Sequence, residues 1–419
     1  MKRTGISLAV ISLLTAFAIS FSLTGCTVQI KAKDMMGGIE PKQVKPLLDI
    51  DSRNGAVCDF AVRLFKASEK SGENTLISPL SVLCALAMTA NGAEKETLLE
   101  MESVLGMTTE DLNQYLYSYM KDLPQGEKYK LSLANSVWFT DDERFTVEQS
   151  FLQTNADYYG ADIYRAPFDK QTCKDINNWV KDKTDGMIPE ILDEIPKEAV
   201  MYLINALAFE AEWADIYEEH QVREGEFTRE DGTKQKADFM YGTEGAYLED
   251  ENAVGFVKYY KERKYAFVAL LPDEGVSLSE YVAELDGKAL SELLSEPQQA
   301  TVQTAIPKFE TSFGAEMSEI LRGMGMSEAF DGYSADFEGI GTSSDGNIYI
   351  SRVLHKTFIS VGEKGTKAGA ATVVEMCDEC ALEIIEPKEV YLTRPFVYML
   401  VDCENNIPFF IGTMTDIEK

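Results

Sequence analysis

The chain has 419 residues, of which 45% are hydrophobic and 26% are charged. This composition is that of a globular protein with a sizeable core, and it excludes an intrinsically disordered chain. The formal net charge is −31 and the acidic excess is spread along the whole length, so we expect no binding to DNA, RNA or an anionic membrane surface.

The N terminus has the pattern of an export signal. Lys2 and Arg3 form a positive region, residues 6–21 form an apolar region, and residues 23–26 read Leu-Thr-Gly-Cys. This ending looks like a bacterial lipobox, with cleavage before Cys26 and a lipid on its sulfur, and the alternative is an ordinary secretory signal. We therefore predict an exported protein that is either a cell-surface lipoprotein or extracellular, with the lipid as its only link to a membrane.

The rest of the chain divides into a spacer and one large domain. Residues 1–25 are the predicted signal peptide, residues 26–49 are a spacer with glycines and prolines, and residues 50–419 are one α+β domain. Helical patterns lead in the first half, strand patterns dominate the end, and no β-α-β alternation or internal repeat is present.

Hydrophobic periodicity predicts the elements of the domain in chain order. Ser78 is a candidate N-cap with Pro79 at the first helical position. Cys58 and Cys84 lie in helical patterns and are expected to be buried. Helices are predicted over residues 50–70, 79–91, 147–159, 176–183 and 312–323, with two more between residues 275 and 300. Strands are predicted over residues 131–139, 246–249, 253–259, 265–271, 300–309, 348–360, 396–402 and 409–414, and over residues 201–209, whose apolar run is typical of a strand buried on both faces.

Residues 361–382 combine two features that rarely occur together. Residues 362–372 contain no large apolar side chain, which is typical of an exposed loop. If this stretch formed a strand, Lys367 and Glu375 would lie on the same face, and the other face would carry no charge. Only a face without unpaired charges can be buried in a sheet. The pattern therefore leaves open a plain exposed loop and a loop that can become a central strand, whose inner face would carry small, uncharged residues, namely Thr366, Ala368, Ala370 and Thr372.

No motif supports catalysis or a bound cofactor. The chain has two histidines, His220 and His355, and neither lies in a metal-ligand spacing. Cys377 and Cys380 lack the second cysteine pair of a zinc site, and they lie in a loop rather than at the start of a helix. There is no G-x-S-x-G elbow, P-loop or dinucleotide fingerprint. We therefore predict that the protein is not an enzyme and needs neither a metal nor a cofactor.

Several short motifs occur together in one order. Residues 74–81 read NTLISPLS, residues 203–213 read LINALAFEAEW, and residues 355–358 read HKTF. The first two resemble the serpin signatures N-x-x-x-S-P-x-S and L-x-N-x-x-x-F-x-x-x-W. Further matches in family order lie at residues 135–139, 151–168, 306–309, 325–326, 335–340, 365–366 and 394–396. From about residue 50 to the C terminus, the chain is therefore similar to the serpins, the serine protease inhibitor superfamily, and it resembles a bacterial lipoprotein-type member.

The resemblance implies a serpin fold with three β-sheets, eight or nine helices and an exposed reactive-centre loop over about residues 363–390. The shutter beneath the main sheet would comprise Ser78, Ser81, Asn205 and His355. The breach, where the loop enters the sheet, would comprise Trp213 and an ion pair between Lys308 and Glu363. The hinge of the loop would comprise Glu363, Gly365, Thr366, Ala368, Ala370 and Thr372.

The resemblance also implies a monomeric suicide-substrate inhibitor that forms a covalent acyl complex with its target serine protease. The freed loop would insert into the main sheet and distort the captured enzyme. Counting from Gly365 places the reactive bond at Glu379-Cys380, with Cys380-Ala381 as the next candidate, whereas counting back from the strand after the loop places it near Ile384. No Lys or Arg lies between residues 368 and 387, so elastase- or subtilisin-like targets are favoured over trypsin-like ones. The alternatives are a cysteine protease target and a non-inhibitory serpin-fold binding protein.

Overall fold

The structure is a computed structural model that describes residues 30–123, 126–141, 145–196, 199–344, 346–366 and 387–417. The predicted signal peptide and the lipidation residue Cys26 lie outside the described residues. The same holds for the reactive-bond candidates and for three of the predicted hinge residues, namely Glu379, Cys380, Ala381, Ala368, Ala370 and Thr372.

The described part of the chain contains nine α-helices, which are α1 Asp51–Ser68, α2 Pro79–Ala90, α3 Lys95–Leu105, α4 Thr109–Asp122, α5 Gln149–Tyr159, α6 Lys170–Lys183, α7 Leu278–Glu284, α8 Gly287–Ser295 and α9 Ser318–Gly323. The start of α2 is as predicted, because the Ser78 side chain accepts a hydrogen bond from the amide of Ser81 and Pro79 lies in the first turn. Cys58 in α1 and Cys84 in α2 are buried, which confirms that prediction too.

The strands are β1 Lys33–Asp34, β2 Thr75–Ile77, β3 Tyr129–Thr140, β4 Phe145–Val147, β5 Asp162–Ala166, β6 Met201–Glu212, β7 Val222–Thr228, β8 Lys234–Glu249, β9 Ala253–Tyr259, β10 Tyr265–Pro272, β11 Gln298–Pro307, β12 Phe309–Glu316, β13 Gly341–Ser343, β14 Arg352–Gly362, β15 Gly365–Thr366, β16 Lys388–Tyr391, β17 Phe396–Asp402 and β18 Ile407–Met414. Among the described residues, sheet A has seven strands in the order β1-β5-β3-β6-β15-β14-β12. Sheet B has nine, in the order β16-β11-β8-β9-β10-β17-β18-β2 with β7 beside β8, and sheet C pairs β13 with β4. The predicted α+β architecture with three sheets and eight or nine helices is confirmed.

The apolar run of β6 contributes to two cores on opposite faces of sheet A. Leu203 and Leu207 belong to the main core, which also contains the buried residues of α1, α2 and the central strands of sheet B. Tyr202 and Ile204 belong to a second core that includes Trp179 of α6. Because successive side chains of a strand point to opposite faces, a strand covered on both sides needs an almost wholly apolar sequence.

One predicted helix is in part a strand. Residues 312–323 were expected to form a helix, but residues 309–316 form β12 and the helix α9 begins at Ser318. β12 pairs with β14 over its whole length, and the side chains of Phe309 and Thr311 are buried by this arrangement. The intrinsic preference of a short segment is weak, and pairing with an existing strand overrides it.

Part of the predicted spacer packs against the domain. β1 pairs antiparallel with β5 at the edge of sheet A, and the buried carboxylate of Asp175 in α6 accepts hydrogen bonds from the backbone amides of Lys31 and Ala32. The packed body therefore includes residues that the sequence analysis assigned to the spacer. Within the described residues, no helix has both the length and the apolar character needed to cross a membrane.

Candidate functional site: a slot between two strands of sheet A

Two neighbouring strands of sheet A are paired at one end and separated at the other. β6 and β14 run parallel and pair over residues 202–205 and 352–355. Within the described ranges, no pairing joins residues 206–210 of β6 to residues 356–360 of β14. We call this unpaired stretch the slot, because a further strand between β6 and β14 would find hydrogen-bonding partners on both sides.

The open end of the slot already holds the first two residues of such a strand. β15 consists of Gly365 and Thr366, and Thr366 pairs with Ala211 of β6 and with Val361 of β14. Only 1% of the Thr366 surface is exposed, and its hydroxyl forms a 2.5 Å hydrogen bond with the hydroxyl of Tyr260. The predicted hinge is therefore part of sheet A at this point.

Trp213 lies beside the turn at residues 363–364, directly before Gly365, which we call the hinge turn. Its indole Nε1 donates a hydrogen bond to the carbonyl oxygen of Gly362, and its backbone amide donates to that of Lys364, both at 2.8 Å. The indole also stacks on the ring of Tyr260, with centroids 4.4 Å apart and an angle of 11° between the planes. Trp213 thus contacts both the turn and the tyrosine that binds Thr366.

The other two residues predicted for the breach form an ion pair at the same turn. Lys308 Nζ lies 2.7 Å from Glu363 Oε1, and the two side chains are 35% and 39% exposed. The hydrogen bond from Lys308 and its charge lower the pKa of Glu363. Water screens so exposed a pair, so we expect it to contribute at most about 1 kcal/mol. A cleft of about 1060 Å³ beside it, lined also by Arg223, leaves the turn open to solvent.

The four residues predicted for the shutter meet in one buried cluster at the paired end of the slot. The backbone amide of Ser78 donates to Nε2 of His355 at 3.0 Å. Nδ1 of His355 lies 2.7 Å from Oδ1 of Asn205, and the Ser81 hydroxyl donates to the same oxygen at 2.7 Å. The cluster therefore joins the start of α2 to β6 and β14.

These partners determine the protonation state of His355. The amide of Ser78 can only donate, so Nε2 must accept, and Nδ1 carries the proton that is donated to Asn205. A second proton on Nε2 would face the Ser78 N–H. Burial lowers the pKa of His355 from 6.5 to about 3, so the ring is neutral at physiological pH.

Three residues of the site could not be identified from their sequence pattern. Tyr260 and Tyr217 resemble any core aromatic of a strand-rich segment, and Lys258 occurs in a run of basic and aromatic residues that is typical of a solvated strand edge. In the structure Tyr260 binds the hinge, the backbone amide of Tyr217 donates to the carbonyl oxygen of Glu363, and Lys258 is buried below Trp213.

The fold and the slot define a protein whose main sheet has two parallel strands held apart at one end by a short strand of two residues. A sequence model described as "Serpin (serine protease inhibitor)" matches residues 55–417, and the chain therefore belongs to the serpin family. Among solved structures, a thermophilic serpin, tengpin, in the native state is 48% identical over 92% of this chain and 99% of its own, with a TM-score of 0.88. This likeness confirms the predicted serpin fold.

Two further comparisons agree with this assignment. Tengpin in the latent state is 46% identical over 90% of this chain and 100% of its own, with a TM-score of 0.78. An uncharacterized serpin-like protein of Thermococcus kodakarensis is 27% identical over an alignment of 380 residues that covers 89% of this chain and 86% of that protein. The structure is thus more similar to the native than to the latent form of tengpin.

Proposed function

We propose that this serpin is a suicide-substrate inhibitor of extracellular serine proteases, with elastase- or subtilisin-like enzymes as targets. The observation that carries the proposal is the position of β15 between β6 and β14, which starts a strand at the open end of the slot. On this proposal the protein is a covalent partner of a protease, acts as a monomer, and has no catalytic activity of its own.

The register of β15 predicts where the following loop residues would pair after cleavage. Thr366 lies opposite Ala211 and Val361. Two residues further on, the same register brings Ala368 opposite Phe209 of β6 and Ile359 of β14. Both of these side chains are buried and point to the main core, as Thr366 does. A small side chain fits this face, and a large or charged one does not.

In the same register, Thr372 would lie opposite both Asn205 of β6 and His355 of β14. Insertion to this depth separates β6 from β14 where those two strands now pair, and therefore breaks the hydrogen bond between His355 and Asn205. The threonine hydroxyl can donate as well as accept, so it can replace part of the lost bonding. The pairing with β6 and the pairing with β14 thus bring Thr372 to the same level of the sheet. This agreement supports insertion along the whole slot.

The length of the slot favours one of the candidate reactive bonds. β6 begins at Met201 and β14 begins at Arg352. If the pairing of β15 continued in the same register as far as these two residues, the inserted strand would end at about residue 376. The bond Glu379-Cys380 lies three residues beyond residue 376, whereas a bond near Ile384 would lie eight residues beyond it. In the proposed reaction the protease serine hydroxyl adds to the carbonyl carbon of Glu379, the peptide nitrogen of Cys380 takes up a proton and leaves, and an ester remains.

The test is to incubate the domain with an elastase and to analyse the products on denaturing gels and by mass spectrometry. We expect a denaturant-stable adduct, and the mass of the released C-terminal fragment distinguishes Glu379-Cys380 from Cys380-Ala381. Cleavage without an adduct and without a gain in melting temperature would leave the non-inhibitory binding protein as the better description. An adduct with a cysteine protease alone would overturn the proposed target class.

Neighbouring alanines provide a matched pair of variants. Ala370→Glu places a charge on the face that would turn towards the main core, and Ala371→Glu places it on the opposite face. We expect Ala370→Glu to be cleaved as a plain substrate and Ala371→Glu to retain most of the adduct. Equal adduct yields from the two variants would contradict insertion in the proposed register.

Export and tethering are proposed on the sequence pattern of the N terminus. We propose that the chain is cleaved before Cys26 and held at the cell surface by a lipid on that residue. Metabolic labelling with a radioactive fatty acid should mark the full-length protein and leave Cys26→Ser unlabelled and released. A labelled Cys26→Ser protein would contradict this site of attachment.

A further inference from the structure

One lysine is buried in an ion pair below the breach. The Lys258 side chain in β9 is 3% exposed, and its Nζ donates to Oε1 of Glu244 at 2.8 Å and to the backbone carbonyl of Asp215 at 3.2 Å. The Glu244 side chain is 11% exposed, and burial raises its pKa although the charge of Lys258 lowers it. Burying two charges costs solvation free energy that apolar side chains of similar volume would not cost. Stability alone is therefore a weak explanation for this pair.

The ammonium group also contacts the aromatic side chains of the breach. Lys258 Nζ lies 4.4 Å from the ring centroid of Tyr217 and 5.3 Å from that of Trp213. A desolvated cation over an aromatic face is attracted by the ring quadrupole. The stacked pair of Trp213 and Tyr260 therefore has a buried positive charge beside its indole ring.

Residues 213–217 connect this ion pair to the hinge, and we call them the strap. Lys258 binds the strap in its middle, at the carbonyl of Asp215. Both ends of the strap bind the hinge turn, through the amide of Trp213 to Lys364 and the amide of Tyr217 to Glu363. The buried lysine, together with Lys261, whose Nζ donates to the carbonyl oxygen of Ala214 at 2.9 Å, therefore holds the backbone that contacts the turn before β15.

We infer that Lys258 and Glu244 are positioning residues that hold the strap against the hinge turn, so that Thr366 stays in register between β6 and β14 when the loop inserts. This inference deepens the proposed function and rests on it. If the strap is loose, the two-residue start of the new strand must form again before insertion can continue. That delay gives the acyl-enzyme more time to hydrolyse, so more inhibitor is consumed for each protease trapped.

The decisive variant is the double substitution K258M/E244M, because a single substitution leaves one buried charge unpaired and is strongly destabilising. We expect its urea midpoint to equal or exceed that of the parent. The stoichiometry of inhibition against an elastase should nevertheless rise by about threefold or more, as expected when contacting residues lose a pairwise coupling. The same substitutions at an ion pair between α1 and α4, R53M/D111M, should leave the stoichiometry unchanged.

A second measurement does not depend on any protease. A synthetic peptide with the sequence of residues 366–376 competes with the hinge for the slot, and its annealing is followed by native gel mobility. We expect it to anneal faster to K258M/E244M than to the parent or to R53M/D111M. Parental annealing together with parental stoichiometry in K258M/E244M would overturn the inference. If the parent forms no adduct but the variants differ in peptide annealing, the proposed inhibitory function fails and the positioning role stands.

Discussion

At the scale of single residues, the protonation state of His355 is determined by its two buried partners. Its two ring nitrogens are matched to one donor and one acceptor, Ser78 and Asn205, in a site that water does not reach. The neutral ring therefore stabilises the native protein, and the charged ring would leave two donors facing each other.

This constraint predicts a dependence of stability on pH. The pKa of His355 is about 3 in the folded protein against 6.5 for the free side chain, so the unfolded state binds more protons throughout that window. Its contribution is fully present above pH 6.5 and falls as the pH is lowered towards 3, by about 2 kcal/mol between about pH 7.5 and about pH 5. Urea unfolding at several pH values should show a smaller decrease in the free energy of unfolding for His355→Asn than for the parent.

The exposed histidine provides the control for that measurement. His220 lies in a short exposed turn, so His220→Asn should keep the parental pH dependence. Equal pH dependence of the parent and His355→Asn would contradict a neutral, buried His355.

At the scale of elements, the position of β15 depends on a close approach between the backbones of Gly365 and Ala211. Gly365 has φ = +147°, and a Cβ atom on it would lie 2.0 Å from the carbonyl oxygen of Ala211. Gly362, in the same turn, has nothing within 4 Å of its Cβ position. Glycine is therefore required at residue 365 for two reasons, its positive φ and the close approach to β6 that places β15 between two strands.

We therefore predict that Gly365→Ala expels β15 from sheet A, at a cost of about 1–3 kcal/mol for the strained and overpacked position. Hydrogen exchange of the amide of Thr366 should become faster, and a nonspecific protease should cut the hinge more readily. Gly362→Ala should behave like the parent in both measurements. Protection of Thr366 in Gly365→Ala equal to that in the parent would contradict the prediction.

At the scale of the whole molecule, repulsion among acidic groups opposes the compact state. The chain has 70 acidic and 39 basic residues, and its isoelectric point is about 4.5. Salt screens exposed charges over about one Debye length, while buried pairs such as Lys258 with Glu244 are screened much less.

Added salt should therefore raise the melting temperature at neutral pH. Between about 20 mM and about 300 mM NaCl we expect a rise of about 2–5 °C in a calorimetric scan, because screening reduces the repulsion of the native state. Near pH 4.5, where the net charge is close to zero, the same change should have little effect. A lower melting temperature at high salt and neutral pH would mean that exposed ion pairs outweigh the repulsion.

Local sequence patterns alone predicted two features correctly, the burial of one strand and the start of one helix. The apolar run of β6 indicated burial on both faces, and Ser78 with Pro79 indicated the start of α2. The same kind of reasoning was wrong for residues 312–316, where pairing with β14 decides the conformation. Ordered motifs, and not periodicity, indicated the family and which distant residues would meet.

The sequence by itself determined the α+β class and the family, and its resemblance to that family indicated which residues would meet as Ser78, Ser81, Asn205 and His355 do. Only the tertiary structure decided that β15 lies between β6 and β14, and that a buried lysine supports the strap behind it. The physical reason is that periodicity reports how exposed a side chain is, but not which partner covers it. Ser78 and His355 are 277 residues apart in sequence, and no local pattern contains the 3.0 Å hydrogen bond between them.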